Sequence, residues 1–136
     1  MNEARPFAEQ RVAEAPPRIL VVEDDILVRT VVSAYLRECG YDVAEAGSAD
    51  EAIHVMKSDM KVDILFTDVT LPGSSLDGFG LAQWARRRRP DLKVILTSGA
   101  QRTAKSAGDL CEAGPMLAKP YDHAELARQI RSLLAR

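Results

Sequence analysis

The stretch from Lys61 to Asp68, Lys-Val-Asp-Ile-Leu-Phe-Thr-Asp, decides the fold, and Val-Thr-Leu-Pro-Gly follows it directly. Its apolar residues between Val62 and Phe66 are β-formers, bounded by a charged start and a Pro-Gly turn. Such a run is typical of a strand buried on both faces, as in a parallel sheet. The predicted strand ends in Asp68, at the edge of the sheet where open α/β folds bind ligands. Asp68 is therefore the first candidate functional residue.

Composition indicates a soluble globular chain. The 136 residues carry 28% charged and 46% hydrophobic side chains with a net charge of −2, which gives no global attraction to nucleic acid or membrane. No apolar run approaches the roughly 18 residues of a spanning helix, and the acidic start does not resemble a secretory signal. Cys39 and Cys111 are isolated thiols without metal-binding spacing, so we expect a reducing, cytoplasmic compartment.

Five apolar segments alternate with helical patterns after a leader, residues 1–17, that we expect to be flexible. Strands are predicted over residues 18–22, 41–46, 62–68, 92–97 and 115–118. Helices are predicted from Ile26, from capping boxes at Ser48 and Asp122, from Asp77 to Pro90, and over 101–113. The alternation predicts a single α/β domain over 18–136, a (βα)5 doubly wound five-stranded parallel sheet of flavodoxin-like order 2-1-3-4-5. The first helix is expected to face the core with Val28, Val31, Val32, Tyr35 and Leu36.

Polar residues follow several predicted strands at the points where those strands end. Glu23-Asp24-Asp25 follows the first strand, Asp68 ends the third, Thr97-Ser98 ends the fourth, and Lys119 follows the fifth. Carboxyl ends of parallel strands share one edge, so these groups should converge there. Crowded carboxylates repel one another unless a cation neutralises them, and Mg²⁺ with oxygen ligands is the expected ion.

A metal-bound Asp68 could act as a nucleophile toward phosphorus and form an aspartyl phosphate. The metal and the Lys119 ammonium would neutralise charge on the transferring phosphoryl group, and a Ser or Thr hydroxyl could donate to its oxygens. A nucleotide pocket is disfavoured, because acidic residues rather than a glycine-rich turn follow the first strand. The site is therefore predicted to accept a phosphoryl group.

At this point the motifs resemble a known family, the receiver domain of bacterial two-component response regulators. The resemblance covers about residues 18–135 and rests on five segments: Ile-Leu-Val-Val-Glu-Asp-Asp at 19–25, Thr-Asp-Val-Thr-Leu-Pro-Gly at 67–73, Leu-Asp-Gly at 76–78, Val-Ile-Leu-Thr-Ser-Gly at 94–99 and Ala-Lys-Pro at 118–120. It implies that Asp68 is the phosphoacceptor and that Lys119, before a cis-linked Pro120, contacts the phosphoryl group. The Mg²⁺ ligands it implies are Glu23, Asp24, Asp68 and the carbonyl of Thr70.

The resemblance leaves two choices for the switch hydroxyl. Ser98, followed by the small Gly99, fits the family pattern better than Thr97, which stays the alternative. The sequence also departs from the family in two places. Met116 stands where an aromatic switch residue is frequent, and the loop at residues 73–75 is longer than usual. Coupling through an aromatic rotamer is therefore not expected from this sequence.

The expected function is that of a single-domain response regulator. A sensor histidine kinase or a histidine phosphotransfer protein would phosphorylate Asp68, and the signal would leave through contact with an unknown downstream protein. We expect no separate enzymatic activity beyond self-phosphorylation and autodephosphorylation, no direct DNA or membrane binding, and a monomer or weak dimer. The alternative is a pseudo-receiver, a binding module that takes no phosphate.

Three other interpretations are weaker. A phosphatase with an aspartyl-phosphate intermediate would need a second acid two residues after the nucleophile, and Thr70 occupies that position. The basic run from Arg86 to Arg89 is expected to be a solvated helix end that complements the helix dipole, rather than a nucleic-acid patch. His54 and His123 lack the partners of a metal site.

Overall fold

The computed structural model describes residues 15–99 and 115–136. In chain order the elements are β1 (Arg18–Val22), α1 (Ile26–Glu38), β2 (Asp42–Ala46), α2 (Ala49–Lys57), β3 (Ile64–Asp68), α3 (Gly78–Arg88), β4 (Lys93–Ser98), β5 (Met116–Ala118) and α4 (His123–Leu134). The five strands form one sheet in the order β2-β1-β3-β4-β5, and every neighbouring pair is parallel. The predicted fold class and strand order are confirmed. The helix predicted over 101–113 and most of the predicted leader lie outside the described residues.

The organising strand β3 lies at the centre of the sheet, and all five of its residues are buried. Its side chains alternate between two hydrophobic cores, since successive strand residues point to opposite faces. Leu65 packs with residues of α2 and α3, whereas Ile64 and Phe66 pack with residues of α1 and α4. The sheet is therefore covered on both faces, which explains why β3 is apolar without alternation.

A polar side chain begins each of the four described helices, as expected for residues that cap free backbone N–H groups. Asp25, Ser48, Asp77 and Asp122 each accept a hydrogen bond from the first turn of the following helix. Of the two predicted capping boxes, the one at Ser48 has its forward bond, from Glu51 N–H, whereas Asp122 accepts from Ala124 N–H, one residue before Glu125. A full capping box also needs the glutamate to accept from the backbone N–H of the capping residue. Here the Glu51 side chain instead accepts from Gly47 N–H, and the Glu125 side chain pairs with Arg128 and Gln129.

The rotation of α1 about its axis differs from the prediction. Its buried residues are Val32, Ser33 and Leu36, whereas Val28 and Val31 are 37% and 56% exposed. The apolar pattern does not determine which face of α1 is buried, because apolar residues surround most of its first two turns. Arg29, three residues before Val32, lies on the buried face in place of Val28.

The basic run at the end of α3 serves the fold at two of its positions. Arg89 donates to the carbonyl oxygens of Met56, Ser58 and Met60, and so satisfies acceptors at the end of α2. The Arg88 guanidinium lies 5.3 Å from the centroid of the Trp84 ring. The predicted solvated helix end fits Arg86, Arg87 and Arg88, which are exposed in the last turn of α3, whereas Arg89 differs because it is bonded to the end of α2. Among the helices of the described ranges, none has the length and apolar character needed to cross a membrane.

Candidate functional site at the carboxyl end of the sheet

The ends of β1, β3 and β5 bring three of the predicted site residues into direct contact. Glu23 follows β1, Asp68 ends β3, and Lys119 follows β5. The Lys119 Nζ donates to Asp68 Oδ2 at 2.7 Å and to Glu23 Oε1 at 2.9 Å. One ammonium thus bridges two carboxylates that are 96 and 51 residues away from it in the chain.

Asp24 completes an acidic cluster with these two carboxylates. Glu23, Asp24 and Asp68 each place one carboxylate oxygen within 4.8 Å of the others. Glu23 and Asp68 are only 5% and 7% exposed, whereas Asp24 is open to solvent. Three carboxylates against one ammonium leave a formal charge of −2 when all are ionised. An all-oxygen, solvent-accessible cluster with this excess charge fits a hard divalent cation such as Mg²⁺, which retains some of its water.

Backbone geometry around Asp68 depends on Gly78 at the start of α3. A Cβ on Gly78 would lie 2.2 Å from the carbonyl oxygen of Asp68 and 2.7 Å from Val69 Cα. The Gly78 N–H also donates to the Val69 carbonyl at 2.7 Å. The Leu-Asp-Gly motif therefore packs the start of α3 against the end of β3, where only a glycine fits.

Both oxygens of the Asp68 carboxylate have defined partners. Oδ1 accepts from the backbone N–H of the exposed Thr70 at 3.0 Å, and Oδ2 accepts from Lys119. Glu23 is held similarly, because its Oε2 accepts from Asp25 N–H at 3.1 Å while Oε1 accepts from Lys119. Backbone N–H groups and Lys119 thus orient two of the three carboxylates, those of Asp68 and Glu23.

The electrostatics of the cluster favour a further positive charge. Burial raises the pKa of Glu23, and the hydrogen bond from Lys119 only partly opposes that rise. For Lys119, burial alone would lower the pKa, but hydrogen bonds to Asp68 and Glu23 and their charges raise it overall. The lysine therefore stays charged at any working pH, and the fold holds an ionised Glu23 at some cost.

The two candidate hydroxyls lie at the same edge of the sheet, and both are buried. Thr97 pairs with Asp68 in the β3–β4 register, and its carbonyl accepts from Val69 N–H at 2.8 Å. The Ser98 hydroxyl donates to the Gly99 carbonyl, and the Ser98 carbonyl accepts from Lys119 N–H at 2.8 Å. The sequence preference for Ser98 over Thr97 stays a prediction.

Two local features that the sequence analysis singled out lie near the site: the peptide bond before Pro120 and the loop after β3. The Lys119–Pro120 peptide bond is cis, as the resemblance implies. The loop after β3, which the sequence predicts to be longer than usual, contacts the start of α2, since Ser74 Oγ accepts from Ala49 N–H and Ser75 Oγ donates to Asp50. These two bonds hold the loop against α2.

Sequence reasoning missed an apolar surface beside the site. Ile26, Leu27, Val28 and Val31 of α1 are all exposed, and we call them the α1 patch. Val28 also lines a hollow of about 270 Å³ together with Lys119, Pro120, Tyr121 and His123. The signal in the sequence was that Ile26 and Leu27 fall outside the predicted core face, but Val28 and Val31 were assigned to that face.

Comparison with known proteins decides the family to which this geometry belongs. Residues 19–131 match the family model described as the response regulator receiver domain. The chain belongs to this receiver domain family. Among solved structures, the receiver domain of NtrX from Brucella abortus superposes with a TM-score of 0.80 at 27% identity, covering 86% of this chain and 98% of that one.

Curated relatives of this receiver domain are longer proteins. The transcriptional regulatory protein AruR of Pseudomonas aeruginosa is 32% identical over 88% of this chain and 50% of its own length. The DNA-binding dual master transcriptional regulator RpaA of Synechocystis is 36% identical, also over 88% of this chain and 50% of its own. The chain thus spans about half the length of these relatives, and it shares with them its receiver domain.

Proposed function

We propose that the receiver domain, residues 18–136, accepts a phosphoryl group on Asp68. The observation that carries the proposal is the contact of the Lys119 ammonium with both Asp68 and Glu23, inside a cluster that keeps excess negative charge. Glu23, Asp24, Asp68 and the Thr70 carbonyl would hold Mg²⁺. When bound, this ion would neutralise charge on the phosphoryl oxygens.

The chemistry follows from the residues around Asp68. A carboxylate oxygen of Asp68 attacks phosphorus, a P–O bond forms, and the P–N bond to the donor histidine breaks with its electrons left on the imidazole. Lys119 lies close enough to move its hydrogen bond from the carboxylate to a phosphoryl oxygen. The activity is confined to the chain's own phosphorylation and dephosphorylation.

The signal would depend on a second rearrangement at β4 and β5. Phosphoryl oxygens next to Asp68 are strong acceptors, so we assign Ser98, with Thr97 as the alternative, as the hydroxyl that donates to them. Ser98 would give up its bond to the Gly99 carbonyl in that state. Because Lys119 N–H is bonded to the Ser98 carbonyl, both strand ends would respond together.

The proposed donor is a sensor histidine kinase or a histidine phosphotransfer protein, acting in the cytoplasm. Support comes from the α1 patch, since large exposed apolar side chains beside a reactive site are typical of protein contact surfaces. A donor seated there would stand next to Lys119 and Asp68. Output would pass to a downstream protein by phosphorylation-dependent contact, and we expect a monomer or weak dimer without direct DNA binding.

The test is phosphorylation by acetyl phosphate with Mg²⁺, read by intact mass. The unaltered chain should gain one phosphoryl group, and Asp68→Asn should gain none. Asp42→Asn is the matched control, because Asp42 is a half-exposed carboxylate at the opposite end of the sheet, paired with Arg18. Uptake by Asp68→Asn, or no uptake by the unaltered chain, would refute the proposal.

A further inference from the structure

Arg29 occupies a position on α1 where the helix pattern calls for an apolar residue. It lies three, four and seven residues before Val32, Ser33 and Leu36, the buried residues of this helix. Its side chain is only 19% exposed, and its Nε is buried. A guanidinium held on the buried face of a helix costs desolvation, so a specific contact should justify it.

The guanidinium of Arg29 makes that contact with the turn between β1 and α1. Its Nη1 donates to the backbone carbonyl of Glu23 at 2.8 Å. Its Nε lies 3.4 Å from Glu45 Oε1, an ion pair without an aligned hydrogen bond. Gly47 leaves room for the group, because a Cβ there would lie 2.9 Å from Nη1.

The Glu23 carbonyl belongs to the peptide plane that joins Glu23 to Asp24. Because a peptide unit is planar, fixing this oxygen fixes the direction in which the chain enters Asp24. The Glu23 N–H is already held by the Ala46 carbonyl at 3.0 Å, and Asp25 N–H binds the Glu23 side chain. The bond from Arg29 is the further contact that orients this peptide between the two acids.

We propose that Arg29 is a positioning residue for the divalent-cation site: it orients the Glu23–Asp24 peptide so that both carboxylates face Asp68. The inference rests on the Mg²⁺ binding of the proposed function. Outer contacts that orient metal ligands are typically worth 10–100-fold in metal affinity. Within the described part of the chain, the contact of Arg29 with the metal site is its hydrogen bond to the backbone carbonyl of Glu23.

The direction in which Mg²⁺ affinity changes when Arg29 is removed distinguishes a positioning role from a purely electrostatic one. A positive charge near a cation site repels the cation, so its removal alone should tighten Mg²⁺ binding. Loss of orientation should weaken the same binding. If Mg²⁺ binds more weakly after a cationic side chain is removed, the loss of its charge cannot explain the change.

The experiment is a Mg²⁺ titration followed by amide chemical shifts, in the unaltered chain and in three variants. Arg29→Ala should weaken binding about ten-fold. Gly47→Ala keeps the charge but forces Nη1 to move, and should weaken binding in the same direction. Arg37→Ala is the matched control, since Arg37 also pairs with Glu45, at 3.1 Å, and bonds the Val43 carbonyl. It should leave the affinity unchanged.

The outcomes distinguish this inference from the proposed function. Unchanged or tighter Mg²⁺ binding by Arg29→Ala, with normal binding by the unaltered chain, would overturn the role of Arg29 alone. Equal weakening by Arg37→Ala would overturn it as well, because the effect would then belong to the pairing of Glu45. If the unaltered chain bound no Mg²⁺, both the inference and the metal site would fail.

Discussion

The two ends of the sheet both carry charged clusters, but they are built differently. At the amino end, Arg18 pairs with Asp42 at 2.6 Å and Lys61 with Asp63 at 3.8 Å, and every partner is at least 25% exposed. At the carboxyl end, Glu23 and Asp68 are nearly buried and share the single ammonium of Lys119 with Asp24 nearby.

The difference shows which charges belong to the fold and which require a function. Matched, exposed ion pairs contribute little to stability and demand no ligand. A buried cluster with more acids than bases lowers stability unless a further cation joins it, and a chain selected for stability alone would not keep it. The excess charge and burial, rather than the presence of acids, make the carboxyl end the candidate site.

The largest effect should come from distorting the carboxyl end at Gly78. In Gly78→Ala the new Cβ meets the backbone of Asp68, which cannot move cheaply, so we expect unfolding to become easier by roughly 3 kcal/mol. Urea unfolding followed by Trp84 fluorescence measures this. The control is Gly80→Ala, whose Cβ meets a flexible Leu76 side-chain end at 3.2 Å and should gain helix propensity. Equal losses in both variants would contradict the close approach at Gly78.

An intermediate effect should appear in the pH dependence of the metal-free chain. Burial raises the pKa of Glu23 above 4.5, so the folded state binds this proton more tightly than the unfolded state. The contribution of Glu23 to stability therefore falls as pH rises from about 4.5 through the raised pKa, and it levels off above that value. The measurement is a series of urea unfolding curves at successive pH values. The free energy of unfolding of the unaltered chain should fall across this window relative to that of Glu23→Gln.

At saturating Mg²⁺ the unaltered chain should instead be more stable than Glu23→Gln, because the ion favours the ionised carboxylate of Glu23. Glu23→Gln should also bind Mg²⁺ at least about ten-fold more weakly, since even contacts outside the ligand shell are worth that much. A stability difference between the two chains that stayed constant from pH 4.5 to 8 would contradict the burial cost assigned to Glu23.

The smallest effect is expected at the amino end. Arg18→Ala removes an ion pair whose side chains are 29% and 44% exposed, so its cost should not exceed about 1 kcal/mol. The Arg18 backbone N–H keeps its bond to Asp63. Mg²⁺ affinity, measured by titration, should match that of the unaltered chain. A clear change in that affinity would show that the two ends are coupled.

Much of the fold could be predicted from the sequence because buried strands have unbroken apolar runs. β1, β3 and β4 each end where polar residues interrupt such a run. Because strands alternate with helices, the sheet is predicted to be parallel, and the carboxyl ends of its strands then lie at one edge. This reasoning predicts the convergence of Glu23, Asp68 and Lys119, and the hydrogen bonds of Lys119 to both carboxylates confirm it. Family resemblance added the expected role of each residue, and it favours Ser98 over Thr97 as the switch hydroxyl, with Thr97 still the alternative.

The rotation of α1 could not be predicted, because its apolar residues outnumber those that the core can cover. Packing against the sheet selected Val32 and Leu36 and left the α1 patch exposed. The position of Arg29 was hidden for the same reason, since its contact is with a backbone carbonyl that no sequence pattern records. Side-chain contacts with backbone groups depend on the final geometry and appear only in the structure.

The most direct test of the carboxyl-end site is an amide NMR titration of the unaltered chain with Mg²⁺ and beryllofluoride, which mimics the aspartyl phosphate. We predict large shifts at Glu23, Asp24, Asp68 and Thr70, with further shifts at Ser98 and Lys119, and none at the amino-end pairs Arg18–Asp42 and Lys61–Asp63. No response at the carboxyl end would contradict the account and would favour a binding module that takes no phosphate.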